Sequence, residues 1–209
     1  MSDFPADIYT ESEIDPDTLK NLGPLAPMAG VWQSTRGLDV HPESFGPEKQ
    51  AYVERYELQP IDPQTNGPQL LYALRYHVHI TKPKEIKTFH DQVGYWLWEP
   101  ATQTVTHTLT IPRGQVAIAS GKVAPDAKTF ELNCLFGDPH HGTLSIPFLD
   151  HAFRTESFRI KVTVHNDGTW TYDQDTVLKI LGKDALFHHT DKNTMQKIED
   201  PTPNPLMRN

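Results

Sequence analysis

Alternation of apolar and polar side chains with a period of two is the feature that most constrains this fold. In the segment Leu70–Ile80, one face carries six large side chains and the other carries Arg75, His77 and His79. The six are Leu70, Tyr72, Leu74, Tyr76, Val78 and Ile80. Successive side chains of a strand point to opposite faces, so the segment is predicted to be a strand with one buried face.

Similar segments follow one another along the chain with turn residues between them. Strands are predicted at Tyr52–Gln59, Phe89–Trp98, Thr104–Ile111, Gln115–Val123, Thr129–Phe136, Phe153–Val164 and Thr169–Leu181. Asn166-Asp167-Gly168 is typical of a tight hairpin turn. Short connections favour an all-β fold, a single antiparallel up-and-down β-barrel of about eight to ten strands. A β-sandwich is the alternative, although the long continuous strands favour the barrel.

Chain length, net charge and cysteine content indicate how many domains the chain forms and which partners are disfavoured. The 209 residues suit one domain, with a flexible acidic segment at 1–21, the barrel at 22–198 and a disordered tail at 199–209. A formal charge of −8 disfavours nucleic acid as a partner. No apolar run is long enough for a membrane span or a signal peptide, and the single cysteine, Cys134, favours a reducing compartment. We therefore predict a cytoplasmic protein without membrane contact, and a homodimer is compatible with the sequence.

Histidines are the candidate functional residues, because the common catalytic and phosphate-binding motifs are missing from the sequence. His107 lies on the apolar face of its strand, either as a hydrogen-bonded core residue or as a polar group lining a cavity. His90 is a cavity candidate if the aromatic face of its strand points inward. His77, His79, His140 and His141 are predicted to be at the surface.

His188 and His189 follow the last predicted strand, either in a terminal turn or at the barrel mouth, where an imidazole can ligate haem iron or act as a base.

Three motifs in this order resemble the nitrobindin-like haem-binding β-barrel family. They are Leu25–Trp32, Phe89–Trp96 and His189 ahead of Lys197-Ile198, and the likeness runs from about Leu22 to Ile198. The resemblance implies a ten-stranded, calycin-like barrel, similar to lipocalins and fatty-acid-binding proteins. It also implies haem b in the barrel mouth and chemistry with nitric oxide or related reactive nitrogen species, such as a haem-dependent peroxynitrite isomerisation.

The resemblance also assigns site residues. His189 is implied to be the axial ligand of the haem iron, with His188 as the fallback. His90 and Ile111 are implied to lie in the cavity, and His107 and Trp32 join the same cofactor-binding set. Arg113 is a candidate partner for a ligand carboxylate such as a haem propionate.

The chain departs from the family pattern in three places, one of which is the turn Thr110–Gly114, unlike the turn of the family. Ser34 and Arg36 stand where the family has glycines. Two connections, Gly37–Gln50 and Gly137–Ala152, are longer than the family needs and are predicted to cover the mouth.

Two other functions remain open at this stage. The barrel could carry a fatty acid or another small apolar ligand, with Arg113 or His90 at its polar head. It could also be a cofactor-free enzyme in which His90 and His107 act as an acid–base pair. A haem-binding barrel is the leading prediction of the three.

Overall fold

Twelve strands pair antiparallel with their neighbours in the computed structural model, which describes residues 5–208. They are β1 (Gly30–Glu43), β2 (Gly46–Pro60), β3 (Gln64–Asn66), β4 (Gln69–Thr81), β5 (Thr88–Glu99), β6 (Thr104–Ile111), β7 (Gln115–Lys122), β8 (Thr129–Leu135), β9 (Thr143–Ser145), β10 (Phe153–Val164), β11 (Trp170–Ile180) and β12 (Phe187–Glu199). The helices are α1 (Thr18–Asn21), α2 (Pro147–Ala152) and two 3₁₀ helices, Gly23–Met28 and Pro205–Met207. None of the helices in the described part of the chain is long and apolar enough to cross a membrane.

Ten of the strands close into a barrel. Around the wall the order is β2, β1, β12, β11, β10, β8, β7, β6, β5 and β4, and pairing between β2 and β4 completes the ring. The short strands β3 and β9 pair with β4 and β7 outside this path. The all-β, up-and-down barrel predicted from the sequence is therefore confirmed.

The period-two pattern corresponds to the two sides of the barrel wall. On β4, Tyr72, Leu74 and Tyr76 are buried in the core, whereas His77 on the opposite face is exposed. Cys134 is buried and free. The bounds predicted for Thr104–Ile111 and Phe153–Val164 coincide with β6 and β10.

Two strands differ from the sequence prediction. The segment Gly37–Gln50, predicted to be a long connection, instead forms the turn end of the β1–β2 hairpin, which turns between Glu43 and Gly46. His188 and His189 lie within the last strand, β12, rather than after it. Both strands contain many polar residues, which hides the alternation, and β1 has a register shift between Ser34 and Gly37. Both strands are stabilised by backbone hydrogen bonds to a neighbouring strand on each side.

One end of the barrel is covered by the N-terminal helices. Leu22, Leu25 and Met28 are fully buried in the core, and the indole Nε1 of Trp32 donates to the Met28 carbonyl at 2.7 Å. The C-terminal segment, predicted to be disordered, packs beside this end in the structure. The buried Asn204 side chain donates to the carbonyl of Pro16 and to Asp62 Oδ1, at 2.8 and 2.7 Å. Met1–Phe4 and Asn209, the outermost parts of the predicted flexible ends, lie outside the described residues.

Candidate functional site

A cavity of about 480 Å³ occupies the other half of the barrel. Its volume falls within the usual range for small-ligand sites, and its wall combines apolar side chains with a few polar groups, as such sites do. The apolar lining includes Val78, Ile80, Leu109, Ile111, Ala117, Phe148, Phe153, Phe158, Ile160 and Leu178. Phe148 belongs to α2, so the connection after β8 contributes to the mouth as predicted.

His189 lines this cavity, and its neighbour His188 does not. The two residues are adjacent on β12, so their side chains leave the strand on opposite sides. The imidazole of His188 is 62% exposed, and its Nδ1 lies 2.7 Å from Asp175 Oδ2 on the outside. Of the two histidines that the sequence left open, His189 is the one that can reach a ligand inside the barrel.

Asp39 on β1 also lines the cavity and contacts His189. One carboxylate oxygen, Oδ1, lies 2.7 Å from His189 Nε2, and the other, Oδ2, lies 2.6 Å from His41 Nδ1. Burial raises the pKa of Asp39, but the hydrogen bonds and charges of the two histidines outweigh this and hold the pKa below its ordinary value. The carboxylate is therefore ionised and accepts from both rings. Within residues 5–208 no hydrogen bond reaches the second ring nitrogen of His189.

The opposite wall carries a hydrogen-bonded row of neutral groups. His90 Nε2 lies 3.3 Å from Gln92 Oε1, and Gln92 Nε2 donates to the Tyr76 hydroxyl at 2.7 Å. The same hydroxyl lies 2.9 Å from His107 Nε2 and donates to the Thr108 carbonyl. Burial lowers the pKa of His90, so both ends of this row favour an uncharged imidazole. His90 and His107 thus both line the cavity, as the inward-facing interpretation of their strands requires.

The tautomer of His107 follows from the partners of Tyr76. A hydroxyl has one proton, and that of Tyr76 goes to Thr108, so His107 Nε2 must carry the proton of their mutual hydrogen bond. The Nδ1 atom then holds a lone pair, and among the described residues it has no hydrogen-bond partner. Burial lowers the pKa of His107 to about 3, and its ring stacks on Trp96 with the centroids 4.1 Å apart. His107 is therefore neutral at physiological pH.

Deeper in the cavity, two carboxyls are joined through two tyrosines. Tyr172 donates to Glu54 Oε2 at 2.8 Å, the Tyr172 and Tyr52 hydroxyls are 2.7 Å apart, and Tyr52 contacts Asp191 Oδ1. Three oxygen–oxygen contacts need three protons, and the two hydroxyls supply only two. One carboxyl of the pair must therefore be protonated. Burial raises the pKa of Glu54 to about 7 and that of Asp191 well above its ordinary value, which agrees with this count.

Three further predicted residues lie in different surroundings. Ile111 and Arg113 line the cavity near its mouth, and Arg113 Nη2 donates weakly to the Phe89 carbonyl at 3.4 Å. Trp32 does not line the cavity, since it is buried in the core with its ring 6.0 Å from Trp170. Ser34, one of the altered glycine positions, donates to Asn193, which in turn donates to Glu54.

The mouth also holds a small group of potential metal ligands. His41, Glu43 and Glu48 each place one ligand atom within 4.8 Å of the others. Both glutamates are exposed, and His41 Nε2 and Glu43 Oε1 are 3.8 Å apart. Exposed groups of this kind are common without a bound ion.

The sequence did not reveal the acidic residues of the cavity. Asp39 and Asp191 lie in the two strands that the periodicity missed. Glu54 lies on a predicted strand and shares the face of Tyr52 and Tyr56, where a charged residue between two tyrosines was an available signal.

Comparisons with known proteins agree with this geometry. Residues 21–197 match the family model described as "THAP4-like, heme-binding beta-barrel domain". The chain belongs to this family. As a THAP4-like haem-binding barrel domain, it is also similar in fold to Rv2717c from M. tuberculosis, with 18% identity, a TM-score of 0.58 and coverage of 89% of this chain and 99% of that one. No curated protein sequence matches the chain. The resemblance inferred from the sequence motifs is therefore confirmed.

The cavity of this THAP4-like domain fits the group that the family name specifies. A haem needs an axial ligand, apolar walls for its macrocycle and an open edge for its propionates. His189, the apolar lining and the mouth near Arg113 offer these three features. The carboxylate of Asp39 on His189 repeats the usual surroundings of metal-binding histidines.

Proposed function

We propose that the barrel binds haem b in this cavity, with His189 as the axial ligand of the iron, and that the bound haem is open to nitric oxide or related reactive nitrogen species. The observation that carries the proposal is the position of His189. Its ring lines an apolar cavity and has one nitrogen on a buried carboxylate, while the other has no hydrogen bond within the described residues. This arrangement suits an imidazole that binds a metal.

The ring order of the strands indicates which residues would face His189 across the cavity. In a closed ring of ten strands, β6 lies five positions from β12 in either direction. The inward residues of β6 are Leu109 and Ile111 toward the mouth and the neutral His107 further in. An apolar wall without a charged side chain suits a small neutral ligand such as nitric oxide. The haem supplies the iron that binds this ligand, and the protein supplies position and polarity.

Arg113 supports a defined orientation of the haem. It lies on the turn between β6 and β7 and lines the mouth. A guanidinium there can pair with a carboxylate that extends toward solvent. We infer that at least one propionate points toward Arg113.

The cofactor-free enzyme is the less favoured function. His90 and His107 line one cavity and are linked through Gln92 and Tyr76. However, a general acid or base works best with a pKa near the operating pH, and that of His107 is about 3. No comparable observation weighs against a carrier of an apolar ligand, so the experiment must separate that function from haem binding.

The test is a haem titration of the purified wild-type protein and two single variants, followed by the visible spectrum. His189→Ala should weaken haem binding by roughly 100-fold or more, because even the partners of a metal ligand contribute 10- to 100-fold. His188→Ala is the matched control, since it removes the adjacent imidazole on the outer face. It should leave both affinity and spectrum unchanged.

Three outcomes would contradict the proposal. They are no spectral shift with wild type, a shift that His189→Ala does not alter, or an equal loss in both variants. Native mass spectrometry of the untreated protein adds the carrier test, because a co-purified lipid together with no haem binding would favour the carrier. Addition of nitric oxide to the haem-loaded protein should shift its visible spectrum, and an unchanged spectrum would contradict the nitrogen-species part of the proposal.

A further inference from the structure

Asp39 makes one hydrogen bond with each carboxylate oxygen, and both partners are imidazoles. Oδ1 lies 2.7 Å from His189 and Oδ2 lies 2.6 Å from His41. The carboxylate is nearly inaccessible to solvent, whereas His41 stands at the rim of the cavity and is partly exposed. A single buried charge is thus shared between the proposed iron ligand and a second histidine.

The strand register fixes this arrangement. Asp39 and His41 are two residues apart on β1, so their side chains leave the same face. On the neighbouring β12, Asp191 pairs with Asp39 and Thr190 pairs with Val40, which places His189 diagonally across from Asp39 and beside His41. The three side chains therefore meet because of backbone pairing between two regular strands, and no flexible loop is involved.

A carboxylate on the N–H of a metal-binding imidazole makes that imidazole a stronger electron donor and holds its ring in place. When a second N–H donor binds the same carboxylate, it takes part of the acceptor capacity. Removing the second donor should therefore strengthen the effect on the first ring. Removing the carboxylate should abolish it.

We propose that Asp39 is a positioning residue for His189, and that His41 limits the effect of Asp39 by sharing its carboxylate. The pair would set how strongly His189 donates to the haem iron through the hydrogen bonds of the Asp39 carboxylate. This inference rests on the proposed function, because it takes His189 as the iron ligand. It adds two residues and assigns them opposite effects.

The ferric/ferrous midpoint potential of the haem-loaded protein tests the opposite signs. Asp39→Asn should raise the potential, because a weaker donor stabilises ferric iron less. His41→Leu should lower it, because leucine has no donor and Asp39 is then left to His189. Asp39→Asn should also raise the rate of haem dissociation by about 10- to 100-fold. Asp175→Asn is the matched control, since it removes the carboxylate from the outward-facing His188 and should change neither quantity.

A second measurement uses the ligand-free protein. The ¹⁵N shifts of its histidines should show the proton of His189 on Nε2 and that of His41 on Nδ1, and Asp39→Asn should alter both signals. Other protonation sites in wild type would overturn the shared-carboxylate arrangement even if haem binds.

The midpoint potentials of the two variants separate the remaining outcomes. Shifts of equal sign in Asp39→Asn and His41→Leu, or no shift in either, would overturn the inference while leaving the proposed function intact. Absence of haem binding by wild type would remove both the inference and the proposed function, and the wild-type haem titration identifies that case.

Discussion

At the scale of single residues, the site depends on how two buried acids are kept compatible with an apolar cavity. Asp39 stays ionised because two imidazoles donate to it. Glu54 has only neutral donors, the hydroxyl of Tyr172 and the amide of Asn193, so burial dominates and raises its pKa. The cavity therefore presents one compensated charge near His189 and, deeper inside, an acid that is about half protonated at pH 7.

The raised pKa of Glu54 makes stability depend on pH. The pKa is about 7 in the folded chain against an ordinary value of 4.5, so between these values the folded chain binds more protons than the unfolded one. The contribution of Glu54 to the free energy of unfolding is therefore fully present below about pH 4.5 and is lost as pH rises through 7. The free energy of unfolding should fall by on the order of 2 kcal/mol between pH 5 and 8 because of this group.

Glu54→Gln should reduce that decrease, because glutamine does not ionise and only Asp191 of the linked pair, whose pKa is also raised, remains to titrate. Urea unfolding of the ligand-free protein at several pH values measures the difference from wild type. Glu57→Gln is the matched control, since Glu57 lies on the outer side of the same strand beside the exposed Arg55. A pH dependence that is equal in wild type and Glu54→Gln would show that Glu54 is already ionised in the folded state.

At the scale of elements, the predictable strands were those with one apolar face. Large side chains alternate with polar ones in Leu70–Ile80, Thr104–Ile111 and Phe153–Val164, and the large ones lie in the core. This period of two was enough to predict the three strands. β1 and β12 lack this signal, because their inward positions in the cavity half hold polar groups such as Asp39 and His189. Polar residues of the candidate site stand there in place of apolar ones. The same substitution that builds the site therefore hid the strands that carry it.

Gly94 on β5 shows how closely β5 and β6 approach each other. A Cβ at this position would lie 2.0 Å from the Thr108 carbonyl oxygen and 3.1 Å from the Tyr76 ring. Gly94→Ala should therefore force β5 and β6 apart and destabilise the protein by about 2 kcal/mol. It should also disturb His107, which is hydrogen-bonded to Tyr76.

Thermal or urea unfolding of Gly94→Ala measures this effect. Thr110→Ala provides the control, because Thr110 is exposed on the same pair of strands and its truncation should change stability by less than about 0.5 kcal/mol. Equal stability of Gly94→Ala and wild type would contradict the close packing of β5 on β6.

At the scale of the whole molecule, barrel closure brings the site together. β1 and β12 carry Asp39 and His189, and they are joined only because the last strand pairs with the first. Periodicity predicts strands but not which distant strands become neighbours, so contacts across 150 positions could not be derived from it. The family resemblance supplied His189 and His90 for the cavity, whereas Asp39 and Glu54 required the closed structure.

The central claim is that haem iron is bound by His189 inside this barrel. Anomalous diffraction at the iron absorption edge, from crystals of the haem-loaded protein, locates the iron directly. We predict one strong peak within bonding distance of a ring nitrogen of His189, between β12 and the apolar residues of β6. A peak at the exposed His140 and His141, or a cavity without iron in crystals that contain haem, would contradict this claim.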